Sequence, residues 1–137
     1  MSRKKARIGA MQLLYSMEIN KEFDAKNIHE FLESYDFLED EKSYIKDLTE
    51  DLLSKLGDID KILSENLEGW TLERLAKVDR EILRIAVYEF LYRDDIPNEV
   101  SINEAVAIAK KFSTNDSPKF VNGILASIFK KLKDESN

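Results

Sequence analysis

The sequence is poor in the residues on which many catalytic and metal sites depend. It contains no cysteine and a single histidine, His29, among 137 residues. The chain therefore has no disulfides, thiolate ligands or cysteine nucleophile, and no set of His and Cys residues has metal-ligand spacing. A glycine-rich phosphate loop and a nucleophile elbow are also missing. We therefore expect no catalytic residue, no metal and no cofactor, with His29 on the surface.

Long apolar runs, glycine and proline are scarce as well. No apolar stretch reaches the roughly 18 residues that a membrane-spanning helix needs, and the basic start lacks the apolar core of a secretory signal. Four glycines and two prolines exclude a collagen-like or low-complexity chain. We expect a soluble, cytoplasmic protein with no membrane partner, folded as a single domain over residues 1–137.

Charge is distributed unevenly along the chain. Residues 1–10 carry four basic residues and no acid, and residues 110–137 carry six lysines against three acids. Residues 11–109 carry eleven basic and 24 acidic residues. If folding brings the two basic ends together, the protein can hold a polyanion at one place while its acidic body repels it elsewhere. The alternative is that the basic ends merely improve solubility.

Apolar residues recur at spacings of three and four almost throughout, which predicts an all-α protein of about seven helices. The helical patterns cover residues 6–17, 28–35, 45–56, 59–67, 78–90, 102–109 and 121–132. Pro97 interrupts the pattern, and the capping-box spacing of Ser101 and Glu104 predicts that the next helix begins at Ser101. Ser117 followed by Pro118 predicts the start of the last helix.

Two segments carry side chains suited to RNA. The first helix opens with Arg3, Lys4, Lys5 and Arg7 and continues through Gln12 and Tyr15, and the last begins with Asp116, Ser117, Pro118, Lys119 and Phe120. Basic groups neutralise phosphates, and an exposed ring stacks on an unpaired base. The free backbone amides at a helix start also suit a phosphate. The alternative is that Tyr15 and Phe120 are core residues and that the lysines are only solvated.

Three other features are expected to be structural. We expect Trp70 to be a core anchor, and Arg84, which lies among apolar positions, to have a buried partner. Glycine inside a helix costs about 1 kcal/mol relative to alanine, so Gly123 indicates the close approach of another backbone or of a ligand. We favour close helix packing at Gly123.

Five segments in a fixed order carry a family resemblance. They are Arg7–Tyr15 (RIGAMQLLY), Val78–Glu89 (VDREILRIAVYE), Pro97 with Val100–Ala105 (VSINEA), Ala109–Phe112 (AKKF) and Lys119–Leu125 (KFVNGIL). Together they resemble the NusB family of bacterial transcription antitermination factors, with similarity from about residue 3 to residue 130. The resemblance implies an all-α fold of two small helical bundles packed at an angle.

The resemblance also implies a function. Family members bind single-stranded boxA RNA jointly with NusE, a ribosomal small-subunit protein, and join the RNA polymerase antitermination complex. The implied RNA contacts are Arg3, Lys4, Lys5, Arg7, Gln12, Tyr15, Asp116, Lys119 and Phe120. The implied NusE contacts are Glu73, Asp79 and Tyr88, which otherwise form an ordinary solvated helix face. Because lysine lacks the planar fork of arginine, we expect Lys4 and Lys5 to contact phosphates.

Alternatives to an RNA-binding adaptor stay open at this point. One is a helical protein–protein scaffold or homodimer that does not bind RNA, and another is an enzyme that uses acidic residues with a divalent ion. The helical module also occurs as an appendage of ribosomal RNA methyltransferases. Because the sequence stops at Asn137, we expect the stand-alone factor.

Overall fold

The computed structural model describes residues 2–135, which contain seven α-helices, one short 3-10 helix and no strand. The helices are α1 (Arg3–Asn20), α2 (Lys26–Ser34), α3 (Glu39–Ser54), α4 (Leu56–Glu65), α5 (Lys77–Tyr92), α6 (Asn98–Phe112) and α7 (Ser117–Glu135), with the 3-10 helix Leu72–Arg74 before α5. The all-α prediction of about seven helices is therefore confirmed. Over the same residues, no helix combines the length and apolar character needed to cross a bilayer.

The chain divides into two compact units, one ending at Leu56 and the other beginning at Gly57. They are called here the N-terminal unit and the C-terminal unit. The presence of two small helical units agrees with the fold that the family resemblance implies. The assignment of residues 1–137 to a single domain stays a prediction.

The N-terminal unit is built on the packing of α1 against α3, with α2 also against α3. Ala6, Ala10 and Leu14 recur every four residues along α1 and are fully buried, as the helical pattern predicts. Gly9 belongs to the same buried part of α1. A Cβ atom at Gly9 would stand 2.7 Å from Cδ1 of Ile45 on α3, so any side chain at this position would force Ile45 to shift.

The C-terminal unit is organised around α5, against which α6 and α7 pack. Every residue of α5 from Asp79 to Glu89 is buried. Arg84 donates hydrogen bonds of 2.9 Å to both carboxylate oxygens of Asp60 and one of 2.9 Å to Glu81. Although burial opposes the charged form, hydrogen bonds and the charges of these two acids raise the pKa of Arg84 above its ordinary value. The predicted buried partner of Arg84 is thus confirmed.

The start of α6 differs from the prediction. The helix begins at Asn98, immediately after Pro97, so Ser101 lies in its first full turn and does not cap it. The hydroxyl of Ser101 is buried and donates a 2.6 Å hydrogen bond to Glu89 on α5. The capping-box spacing of Ser101 and Glu104 was therefore misleading, because proline fixes the backbone angle at which a helix can start.

Trp70 and Gly123 also depart from the predictions. Trp70 follows Gly69, whose φ is +75°, in the turn before the 3-10 helix, and it is 54% exposed rather than a core anchor. Gly123 is exposed on α7, with no atom within 4 Å of the position that a Cβ would take. The prediction of close helix packing at Gly123 is wrong, and the helix carries an open glycine on its surface.

Candidate nucleic-acid interface

One face of α1 presents polar and aromatic side chains to solvent. Lys4, Gln12 and Tyr15 are exposed, and their spacings of eight and three residues place them on one side of the helix. The Tyr15 side chain is 37% exposed. Within the part of the chain that the structure describes, none of these three side chains makes a hydrogen bond or ion pair. They are called here the α1 face, and their donors and ring are available to a ligand.

The start of α1 is held in place by the buried carboxylate of Glu41 on α3. Glu41 accepts hydrogen bonds from the backbone N–H groups of Leu38, at 3.0 Å, and Ser2, at 3.1 Å. Ser2 in turn caps α1, because its hydroxyl oxygen accepts a 3.2 Å bond from the N–H of Lys5. The hydrogen bond from Leu38 makes the largest contribution to a Glu41 pKa below its ordinary value. The buried Glu41 therefore helps to position the basic segment at the start of α1.

The other three basic residues at the start of α1 have partners inside the N-terminal unit. The Arg3 guanidinium lies 5.7 Å from the centre of the Tyr44 ring. The Lys5 ammonium donates a 2.9 Å hydrogen bond to the carbonyl oxygen of Asp36 and lies 3.7 Å from Glu41. Arg3 and Lys5 remain exposed, whereas Arg7 is only 5% exposed. Arg7 thus departs from the expectation of a surface cation, because its helical position faces the interior of the unit.

The start of α7 is fixed to the start of α5 by a group of hydroxyls. Asp79 accepts a 2.7 Å hydrogen bond from Ser113 at one oxygen and a 2.9 Å hydrogen bond from Ser117 at the other. Because the proton of Ser117 points at Asp79, the Thr114 hydroxyl, 2.9 Å away, donates to the Ser117 oxygen. Asp79, Ser113 and Ser117 are called here the hydroxyl clasp. The clasp fixes the first turn of α7 against the start of α5 within the C-terminal unit.

The residues predicted to bind RNA at the start of α7 lie next to Ser117 of the hydroxyl clasp in the chain. Asp116 and Lys119 are exposed and Phe120 is half-buried. The Lys119 ammonium makes no ion pair with any residue in the described range 2–135. A cavity of about 290 Å³ opens beside these residues within the C-terminal unit, and both Phe120 and Trp70 line it. Sequence analysis missed Trp70 as a site residue, because composition and periodicity do not distinguish an exposed tryptophan from a buried one.

The three residues predicted to contact a protein partner do not share an exposed face. Glu73 is exposed on the 3-10 helix, which Arg80 holds through a 2.9 Å hydrogen bond to the Glu73 carbonyl oxygen. Asp79 is only 6% exposed and belongs to the hydroxyl clasp. Tyr88 is 4% exposed, with its ring 5.5 Å from that of Tyr92. Asp79 and Tyr88 point from α5 into the interior of the unit. The expectation that they contact NusE directly and the alternative that they lie on a solvated helix face are therefore both wrong for these two residues.

Comparison with known proteins decides the family. A sequence profile of the NusB family matches residues 4–130. The chain belongs to the NusB family. The transcription antitermination protein NusB of Ruminiclostridium cellulolyticum is 43% identical to it over 130 residues, which cover 95% of this chain and 90% of the relative.

Solved NusB structures share the fold. T. maritima NusB superposes with a TM-score of 0.86 and 39% identity, covering 95% of this chain and 92% of that one. A structure described as antitermination factors NusB and NusE in complex with dsRNA matches with a TM-score of 0.84 and 28% identity, covering 94% of this chain and 96% of the matched one. This chain therefore shares its fold with solved NusB proteins, one of them in a complex with NusE and dsRNA.

Within residues 2–135 of this NusB family member, no three His, Cys, Asp or Glu side chains are grouped in a way that could hold a metal ion. His29 is exposed, as predicted. The ligand-accessible features are the α1 face in the N-terminal unit and the start of α7 in the C-terminal unit. Both combine cations with aromatic rings, the pairing that suits an RNA strand.

Proposed function

We propose that this chain is an RNA-binding adaptor for transcription antitermination, which binds boxA RNA together with NusE and supports processive transcription of ribosomal RNA. Its relatives are named transcription antitermination protein NusB, and a matched structure contains NusB, NusE and RNA. The observation that carries the RNA role is that Lys4, Tyr15 and Lys119 are exposed, with no partner of their own among residues 2–135.

Each unit contributes its own contacts to the RNA in this proposal. Lys4 neutralises a phosphate, Gln12 donates to a base or phosphate, and Tyr15 stacks on an unpaired base. At the start of α7, Lys119 supplies a second cation and Phe120 a second ring. Arg3 and Lys5 add positive potential from the sites where Tyr44 and Glu41 hold them. Buried Arg7 supports the fold of α1 and does not touch the RNA.

The protein partner in this proposal is NusE, a basic ribosomal protein that suits the acidic body of the chain. Complementary charge raises the rate of association more than the final affinity. Exposed Glu73 contacts NusE directly, whereas Asp79 and Tyr88 shape the surface from beneath it. The assembled pair then joins the RNA polymerase antitermination complex. A homodimer in the absence of partners remains compatible with this function.

We further propose that the chain acts by binding alone, without catalysis, cofactor or metal, and that it works in the cytoplasm, where bacterial transcription takes place. The absence of cysteine and the solvent position of His29 support a binding role.

The test is the anisotropy of fluorescein-labelled boxA RNA titrated with the chain, with and without NusE. We expect weak binding by the chain alone and at least tenfold tighter binding with NusE. Tyr15→Ala and Lys119→Gln should each weaken binding, and exposed Lys46→Gln on α3 serves as the matched control. Equal affinity with and without NusE would contradict the coupling. No binding in either case would contradict the RNA role and favour a protein–protein scaffold or homodimer.

A further inference from the structure

A groove on the N-terminal unit lies between the second half of α1 and α2, and it is called here the α1–α2 groove. Its volume is about 270 Å³, which is smaller than most small-molecule pockets but sufficient for one long side chain. Its apolar lining consists of buried Leu13 and Met17 from α1 and the rings of Phe31 and Tyr35 at the end of α2. No residue assigned above to RNA or to NusE lines the groove.

The rings beside the groove form an ordered aromatic surface. The ring centres of Phe31 and Tyr35 are 4.7 Å apart with an interplanar angle of 43°, and the Phe37 ring lies 6.3 Å from that of Tyr35. Phe31 and Phe37 are half-buried, whereas Tyr35 is 55% exposed. The two neighbouring rings therefore restrict Tyr35 without covering it, so a ligand meets a ring that is already in place.

The polar rim of the groove presents acceptors. Asn27 donates a 3.4 Å hydrogen bond to one carboxylate oxygen of Glu22, and the Ser34 hydroxyl donates a 2.8 Å hydrogen bond to the carbonyl oxygen of Glu30. The Glu30 carboxylate is exposed and makes no hydrogen bond or ion pair with residues 2–135. No lysine or arginine lines the groove within that range. Glu30 therefore offers two carboxylate oxygens to donors from a ligand.

The cations near the groove are already paired with acids. Lys26 lies 3.7 Å from Asp24, and Lys42 of α3 lies 3.4 Å from Glu33. Lys5, whose ammonium is 5.7 Å from the centre of the Phe37 ring, lies 3.7 Å from buried Glu41. None of these three lysines therefore offsets the charge of the groove rim.

The charge that remains around the groove is negative. Residues 13–35 carry five acids and two lysines. Once Lys26 and Lys42 are set against Asp24 and Glu33, one lysine is left in this segment, Lys21, with three acids, Glu18, Glu22 and Glu30. This excess repels RNA phosphates and attracts a cationic group, so the α1–α2 groove differs in sign from the basic surfaces assigned to RNA.

Arginine has the two properties that this groove would recognise. Its guanidinium is planar and stacks on an aromatic face, and its edge donates paired N–H groups to a carboxylate, whereas the lysine ammonium has no planar face. A free amino acid would bring its own carboxylate close to Glu22 and Glu30. It would also leave uncovered the side chain of Ile19, which is 50% exposed and precedes the lining residue Asn20 in the chain. An arginine within a protein segment avoids both disadvantages.

We propose that the α1–α2 groove binds an arginine side chain from a basic segment of a protein partner, with the guanidinium stacked on Tyr35 and donating hydrogen bonds to the Glu30 carboxylate. The inference goes beyond the proposed function, because it gives the N-terminal unit a protein contact in addition to NusE and does not depend on RNA binding. Tyr35 and Glu30 are the specificity-determining residues of this contact.

The probes are three fluorescein-labelled, amidated nine-residue peptides of alanine and leucine. One carries three arginines, the second carries lysine in their place, and the third carries citrulline, which keeps the shape of arginine without its charge. In anisotropy titrations of the full chain, we expect the arginine peptide to bind about threefold tighter than the lysine peptide. It should bind about fivefold or more tighter than the citrulline peptide.

Variants separate stacking from charge pairing. Tyr35→Ala should bring the arginine and lysine peptides to equal affinity, and Tyr35→Phe should keep the preference because a ring remains. Glu30→Gln should weaken binding of the arginine peptide about fivefold. Asp47→Asn removes an exposed and unpaired acid from α3 of the same unit and should leave binding unchanged. Circular dichroism confirms that each variant is folded.

Several outcomes would overturn the inference. Equal affinity of the arginine and citrulline peptides would exclude a cation site, and equal losses for Glu30→Gln and Asp47→Asn would show only general attraction to an acidic surface. Displacement of the arginine peptide by NusE would assign the groove to NusE, and displacement by oligo-U RNA would assign it to RNA. A dimer in size-exclusion chromatography that Tyr35→Ala dissociates would assign it to a second copy of this chain.

Discussion

Gly9 on α1 faces the side chain of Ile45 on α3 and leaves no room there for a side chain of its own. A methyl group at Gly9 would lie 2.7 Å from Cδ1 of Ile45 and 2.9 Å from the Phe37 ring. Ile45 is fully buried and cannot retreat into solvent. We expect Gly9→Ala to lower the free energy of unfolding by about 1 kcal/mol, since the overpacking exceeds the gain in helix propensity.

Gly123 provides the matched control, because it lies inside a helix with nothing within 4 Å of its missing Cβ. Gly123→Ala should raise the free energy of unfolding by about 0.5–1 kcal/mol through helix propensity alone. Urea denaturation of the two variants checks the pair. Equal effects of the same sign at both positions would show that the close approach at Gly9 does not govern the packing of α1.

Arg84 should be the most sensitive charged residue of the C-terminal unit. Arg84→Met leaves buried Glu81 and half-buried Asp60 without their shared cation, and we expect a decrease of about 3–5 kcal/mol in the free energy of unfolding. Arg93, which is half-buried, pairs with exposed Asp95 at the same 2.9 Å distance, yet Arg93→Met should cost less than about 1 kcal/mol because the pair reaches solvent. Chemical denaturation of both variants measures the difference. Similar decreases in the free energy of unfolding for the two variants would mean that burial of the Arg84 ion pairs does not make them more important for stability.

Glu41 should make the N-terminal unit sensitive to acid. Its pKa is lowered in the folded chain, so its stabilising effect is present above the ordinary glutamate pKa of about 4.3 and is lost as the pH falls through the lower folded-state value. The wild type should therefore be more stable than Glu41→Gln at pH 7, and the gap should close in acid. Thermal melts of both proteins from pH 7 to pH 3 test this. A gap that stayed constant with pH would exclude ionisation as its cause.

Lys4 should contribute to the salt dependence of RNA binding. When a substitution removes one cation from the phosphates of a single strand, the slope of log affinity against log salt concentration becomes shallower by about 0.7. We expect this change for Lys4→Gln and none for Lys46→Gln, whose ammonium lies 3.4 Å from Glu50. Titrations at four salt concentrations measure the slope. An unchanged slope for Lys4→Gln would show that Lys4 does not contact an RNA phosphate.

The helices could be predicted from the sequence because the buried face of a helix requires apolar residues at spacings of three and four, and this spacing is visible in the sequence. Ala6, Ala10 and Leu14 on α1 show that period and are all fully buried. Arg84 was also predictable, since a charge among apolar positions needs a partner. Helix starts were harder: Ser101 has the spacing of a cap, yet Pro97 begins the helix earlier.

The site was less predictable than the fold, because exposure depends on tertiary packing that the local sequence does not encode. Trp70 lies outside any periodic helix, so its hydrophobicity alone suggested the core. Arg7 shares a basic cluster with Lys4 but occupies the inward side of α1. Gly123 indicated close packing at a position that the structure leaves open. In each case the sequence identified an unusual residue but did not show whether it faces the interior or the solvent.

The hydroxyl clasp gives the start of α7 a fixed direction before any ligand arrives. Ser117 is buried and bonded to Asp79, so the backbone that carries Lys119 and Phe120 has little freedom left to lose. RNA binding at the start of α7 should therefore require no folding of the protein. Most of the loss of conformational entropy on binding should come from the flexible RNA strand.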